Sequence, residues 1–65
     1  MFKKKYSVSL LDDKWEVIRG NVKVHFIPRK NEFIYLEEFE KYFEVLNVVH
    51  YLNKKHGIFL IIKSI

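Results

Sequence analysis

Three histidines, two adjacent carboxylate pairs and seven hydroxyls are the groups in this 65-residue chain that could carry a reaction. Histidine is the side chain best suited to serve as a base or a metal ligand near neutral pH. His25 and His50 fall in segments with strand patterning and His56 falls in a turn, with no His-x-His or His-x-x-x-His spacing to announce a metal site. His50 continues the face of Val45 and Val48 and reads as a partly buried histidine hydrogen-bonded to backbone. Asp12/Asp13 and Glu37/Glu38 are sequence neighbours, so in a strand their carboxylates point to opposite faces and cannot share a proton. They read as solvated charges or turn caps. The hydroxyls of Ser7, Ser9, Ser64 and the four tyrosines lie in no nucleophile elbow, and with only Gly20 and Gly57 the chain has no glycine-rich phosphate loop. No catalytic residue, metal ligand or cofactor is expected, and the chain does not read as an enzyme.

Basic residues interleaved with aromatics are the stronger functional signal. Twelve Lys and Arg against eight Asp and Glu give a net charge of +4, which favours anionic partners such as nucleic acid or an acidic protein face. Lys3, Lys4 and Lys5 lead into Tyr6, Arg29 and Lys30 follow Pro28, and Lys54, Lys55 and His56 tip the last reversal; Arg19 and Lys23 lie between. Phosphate contacts use such mobile cations, and Tyr35, Tyr51 or Trp15, where exposed, would stack on bases. The bland reading of the lysines is a solvated edge that discourages sheet-to-sheet aggregation. For Trp15 and most phenylalanines the expectation is the core. Five of the acids (Glu32, Glu37, Glu38, Glu40, Glu44) share one thirteen-residue window, so the protein is expected to be two-faced in charge.

The elements that must position these groups are short. One domain of this length buries only about 60% of its unfolded surface, and without cysteine it has no disulfide or Cys/His zinc site to brace it. Dense apolar packing must replace them, and 49% hydrophobic and 17% aromatic residues can supply it. Tyr6, Val8 and Leu10 alternate with serines as a half-buried strand, and Asp12-Asp13-Lys14 offers a turn. Trp15 to Arg19 alternates as a second strand, Gly20-Asn21 supplies a tight reversal, and Val22, Val24 and Phe26 share one face of a third strand ended by Pro28. Phe33 to Leu36 reads as another strand, and Ile58 to Ile62 as the last. The Met-Phe-Lys-Lys-Lys start lacks the apolar run of a signal peptide, and no stretch approaches the ~20 residues that span a bilayer, so a soluble protein in the cytoplasm of a bacterial host cell is expected, with no membrane partner.

Residues 36–56 admit two readings. As a helix, Phe39, Tyr42, Phe43, Leu46, Val49 and Leu52 make one stripe, with acids near its start and Lys54, Lys55, His56 and Gly57 at its end. As a strand, its β-branched and aromatic residues suit a pleated surface, and a bulge near Leu46-Asn47 would keep Phe43, Val45, Val48 and His50 on one face. Residues 22–65, with Pro28, Glu32, Ile34, Leu36, Phe43, Val45, Val48, His50 and Ile58 to Ile62, resemble a pattern found in very short proteins of Bacteroidetes-type bacteria and their phages: Pro-x-x-x-Glu, alternating apolar residues, aromatic-x-Val-x-x-Val-x-His and a final aliphatic strand. The usual Gly before the Glu is here Asn31, which tolerates positive φ better than most residues. The resemblance implies an all-β fold, a strongly bent antiparallel sheet of five to six strands or an SH3-like barrel. The alternative is α+β, an antiparallel sheet with one helix at about 36–56.

Three functions are compatible with these features. The first is a non-catalytic inhibitor, of the kind phages and mobile elements encode against bacterial defence, anti-CRISPR proteins among them. It would dock on a host protein or ribonucleoprotein, such as an RNA-guided CRISPR nuclease, through a basic and aromatic surface. The second is an autonomous small barrel that binds RNA or single-stranded DNA, with affinity falling steeply with salt. The third is a structural part of a phage particle that uses open sheet edges to form a homo-oligomer or to join a coat protein.

Overall fold

The computed structural model of the protein describes residues 5–52 and 56–65. Five strands form, β1 (Tyr6–Leu11), β2 (Val17–Val24), β3 (Phe33–Leu36), β4 (Lys41–Leu52) and β5 (His56–Ser64), and the described residues contain no helix. The all-β expectation therefore holds and the helix at 36–56 does not. That stretch is instead the end of β3, a turn over 37–40, and β4. The β-branched residues Val45, Val48 and Val49 go to a ladder with β5, where Val45 pairs with Ile62 and Val48 with Leu60. Leu46 is the unpaired extra residue, since Val45 faces Ile62 and Asn47 already faces Ile61. This bulge keeps Phe43, Val45, Val48 and His50 in one phase, as the spacing predicted, although His50 is exposed rather than partly buried.

The sheet order is β2-β1-β5-β4-β3, curled into a half-barrel. Every consecutive pair of strands reverses direction, so the first and fifth point the same way. Their pairing, Val8 with Ile58 through Leu11 with Ile61, is therefore parallel, and the sheet is mixed rather than purely antiparallel. Read around a circle, the order is a five-stranded meander with one ladder missing, the one between β2 and β3. Those two strands nowhere come within 8 Å of each other at Cα, and the opening between them is a seam.

Gly20-Asn21 does not reverse the chain. Asn21 takes a φ of 54°, and register slips between Val8 opposite Val22 and Leu10 opposite Arg19, so the pair forms an irregularity inside one eight-residue strand. The two strands expected at Trp15 to Arg19 and Val22 to Phe26 are thus one. Trp15 lies outside it, at φ 66° in a turn whose Asp12 Oδ1 accepts the amides of Lys14 and Glu16, both at 2.9 Å. The other turn device behaves as expected: Asn31 sits at φ 75°, and Glu32 Oε1 accepts the Arg29 amide at 2.6 Å.

The core fills the concave side. Val8, Leu10, Phe43, Val45, Ile58, Leu60 and Ile62 form its buried cluster, with Ile18, Val22, Val24, Ile27, Ile34, Leu36 and Val48 partly buried against it. Each fully buried aliphatic side chain contributes about 1.5–3 kcal/mol relative to exposure. Strand β5 lies centrally and reads almost without polar interruption from Ile58 to Ile62, because both of its faces are covered: Ile61, in the opposite phase, is buried as well. Aliphatics make this core. Of the described phenylalanines only Phe43 is buried, while Phe26, Phe33 and Phe39 are exposed, so the expectation that Trp15 and most Phe are internal is overturned.

Candidate partner-binding surface

Strand parity decides which rings reach the surface. In Phe33-Ile34-Tyr35-Leu36 the aliphatics Ile34 and Leu36 pack on the core, which turns Phe33 and Tyr35 to the outer face. Tyr35 stands directly opposite Tyr42 on β4, their ring centroids 4.9 Å apart at 58°. Phe33, Tyr35 and Tyr42 are 63%, 49% and 60% exposed. Ile65, whose amide donates to the Tyr42 carbonyl at 3.2 Å, extends this apolar patch across the next strand and is also exposed. Glu44 pairs with Lys63 one step along the same face and gives the patch a polar rim. Phe26, 86% exposed, shares one open depression with Pro28 and Phe33 and lines a second with Tyr6 and His25.

Charge separates along the strands. The register sets the turn after β1 and the turn after β3 at the same end, because Leu11 pairs with Val17 and Ile61 while Leu36 pairs with Lys41. Asp12, Asp13, Glu16, Glu37, Glu38 and Glu40, six of the chain's eight carboxylates, meet there against Lys14 and Lys41. No group of three or more acidic or histidine side chains among the described residues is arranged to hold a metal ion. The opposite end holds the start of β1 and the end of β2, with Lys5, Lys23 and His25 all exposed.

The candidate residues distribute unevenly over this frame. Lys5, Lys23 and Tyr51 occupy the end away from the acids, and Lys23, Ser7, Gly57 and Tyr51 form one row across β2, β1, β5 and β4. Tyr51 is 51% exposed, with its ring centroid 6.2 Å from that of Phe59. Arg29 and Lys30 lie exposed in the turn before β3, partway along the sheet. Arg19 is drawn to the acidic end, where its Nη1 donates to Glu38 Oε2 at 2.6 Å. Tyr35 belongs to the ring patch. Lys3, Lys4, Lys54 and Lys55 lie outside the described residues, and His56 opens β5, opposite Leu52.

Sequence reasoning missed Phe33, Tyr42, Phe26 and Ile65 as surface groups. The signal for the first lay in the alternation of rings and aliphatics from Phe33 to Leu36. The signal for Tyr42 lay in its phase, one residue off the buried Phe43. No protein-family model matches the chain, and no curated protein and no solved structure matches it.

Proposed function

We propose that this chain is a non-enzymatic binding protein that acts by occlusion, an inhibitor of the kind encoded by phages and mobile elements, docking on a host nucleoprotein or RNA-guided nuclease. The observation that carries the reading is the placement of Phe33, Tyr35 and Tyr42 on the outside of a protein whose described interior is built from aliphatics and one ring, Phe43. A small domain short of core has every reason to bury its rings, and exposed aromatic groups are the residues that anchor protein interfaces. The cations Lys5, Lys23, Arg29 and Lys30 complement an anionic partner and steer its approach, adding rate and specificity more than affinity. Affinity capture with tagged protein from its native host, with and without nuclease treatment, tests the idea. Retention of one discrete protein after nuclease treatment, lost in a Phe33→Ser/Tyr35→Ser/Tyr42→Ser variant that still folds, is the expected outcome. Retention by that variant would defeat it.

A second reading is a barrel that binds RNA or single-stranded DNA unaided. It is favoured by Tyr51, half exposed on the face that also bears Lys23 three strands away. That span of about 14 Å suits a single strand laid across the sheet, with one base on the ring and a phosphate further along at the lysine. Oligonucleotide affinity falling with the logarithm of salt, and weakened by Lys23→Glu and Tyr51→Ala alike, would support it over the first.

A further inference from the structure

We infer that the seam between β2 and β3 is a receptor for one extended peptide strand, which completes the barrel as a sixth strand and carries lysine or arginine among alternating apolar residues. The inference uses the backbone edge of β3 rather than its outward rings and does not depend on the inhibitor reading.

The first support is a row of unused backbone groups. Asn31 donates to the Val45 carbonyl at 2.8 Å and Val45 donates to the Glu32 carbonyl at 2.9 Å, so Val45 turns its peptide groups toward β3. The Tyr42 carbonyl accepts from Ile65, so Tyr42 turns toward β5. Antiparallel alternation then gives Ile34 to Phe43 and Leu36 to Lys41 as the hydrogen-bonded pairs. The amide and carbonyl groups of Phe33 and Tyr35 consequently point away from β4, into the seam. At four residues this edge is short, but it carries no other common protection: no proline and no lysine lies within Phe33–Leu36.

The second support is the lining and width of the opening. Ile18, Val22 and Val24 from β2, Ile27 from the connecting segment, and Ile34 and Leu36 from β3 touch the core yet remain only partly buried. Paired strands lie about 4.8 Å apart, so two strands with one between them stand about 10 Å apart. Cα separations along the whole of β2 and β3 exceed 8 Å, wider than one strand spacing, and no strand of the described residues lies between them. An inserted strand would pair with the β3 edge and cover the inward aliphatics of both strands with alternate side chains.

The seam is acidic at the end of β3 and basic at the end of β2, where Lys23 and His25 are exposed, so the occupant's lysine or arginine belongs at the acidic mouth. Glu37 and Glu38 stand on its β3 side, at the end where six carboxylates face Lys14 and Lys41, and Arg19 of β2 is already engaged by Glu38. An acidic strand would be repelled there and a basic one attracted.

A short synthetic peptide of alternating valine and lysine is the probe, followed by amide exchange in the full chain. Protection of the Phe33 and Tyr35 amides by about tenfold or more at saturation is expected, because each gains an acceptor. The same peptide N-methylated at alternate residues keeps its charge but loses its donors, and it should give no protection. Glu37→Lys, at an exposed position, should weaken the unmodified peptide several-fold without unfolding the protein. Unchanged exchange at Phe33 and Tyr35, equal binding of the N-methylated peptide, or equal binding of an alternating valine and glutamate peptide would each overturn the inference. So would protection of these amides that grows with protein concentration alone, since a second copy would then be the occupant.

Discussion

Arg19 Nη1 and Glu38 Oε2, 2.6 Å apart, join two sides of a sheet that share no backbone hydrogen bond. Arg19 belongs to β2 and Glu38 to the turn after β3, so the ion pair spans the seam at its acidic end. Both side chains are about half exposed (55% and 43%), so water and salt screen the attraction. Arg19→Ala or Glu38→Ala should cost about 0.2–1 kcal/mol in urea unfolding at low salt, and almost nothing at 1 M salt, where the screening length falls to roughly 3 Å. A larger loss that salt leaves untouched would mean the pair holds packing rather than charge.

Deleting Leu46 should be far less damaging than deleting Glu44, on the other side of Val45. Leu46 is the extra residue of the bulge, so its removal leaves Val45 opposite Ile62, Asn47 opposite Ile61 and Val48 opposite Leu60 in unbroken alternation, whereas removal of Glu44 sends Phe43 to the outer face and Tyr42 to the core face. Circular dichroism should show cooperative unfolding retained when Leu46 is deleted and lost when Glu44 is.

Val45→Ala and Phe26→Ala separate core from surface. Natural domains hold about 0.05–0.15 kcal/mol per residue, so a chain of this length has a margin of only several kcal/mol. Val45 is fully buried, and its truncation should take about 1–3 kcal/mol of that margin in denaturant unfolding. Phe26 is 86% exposed, and Phe26→Ala should stay within about 0.5 kcal/mol.

Asn31 at φ 75° gives a test of backbone strain. Asn31→Ala should cost about 1 kcal/mol or less, because alanine keeps the Cβ that crowds the carbonyl in the left-handed region and lacks the polar side chain by which asparagine offsets it. Asn31→Gly should match or exceed the wild-type melting temperature. If both substitutions prove equal, the turn has adjusted and the strain is not localised there.

Much of this architecture can be read from residue order, and the failures share a physical cause. The Leu46 bulge, the positive φ at Asn31 and the aliphatic β5 are local matters, and local pattern announces them. Gly20-Asn21 misled because the same permissive backbone that makes a reversal also makes a kink inside a strand. The choice between them is made by β1 lying alongside, which sequence spacing does not display. Trp15 and the phenylalanines misled for a similar reason: ring hydrophobicity marks what can be buried, whereas parity relative to Ile34, Leu36 and Phe43 marks what is. The acidic end was half visible, in the 32–44 window. Its other half, Asp12, Asp13 and Glu16, joins it only through the register of β1 with β5.

The parallel pairing of β1 with β5 also bears on how the protein comes to exist. Val8 meets a partner fifty positions further along, at Ile58. The two hairpins, β1 with β2 and β3 with β4, can each zip up early, but nothing fastens one to the other until β5 slides between them. Such distant closure makes acquisition of the native state slow for so small a molecule, and during synthesis it postpones that state until the final strand has left the ribosome.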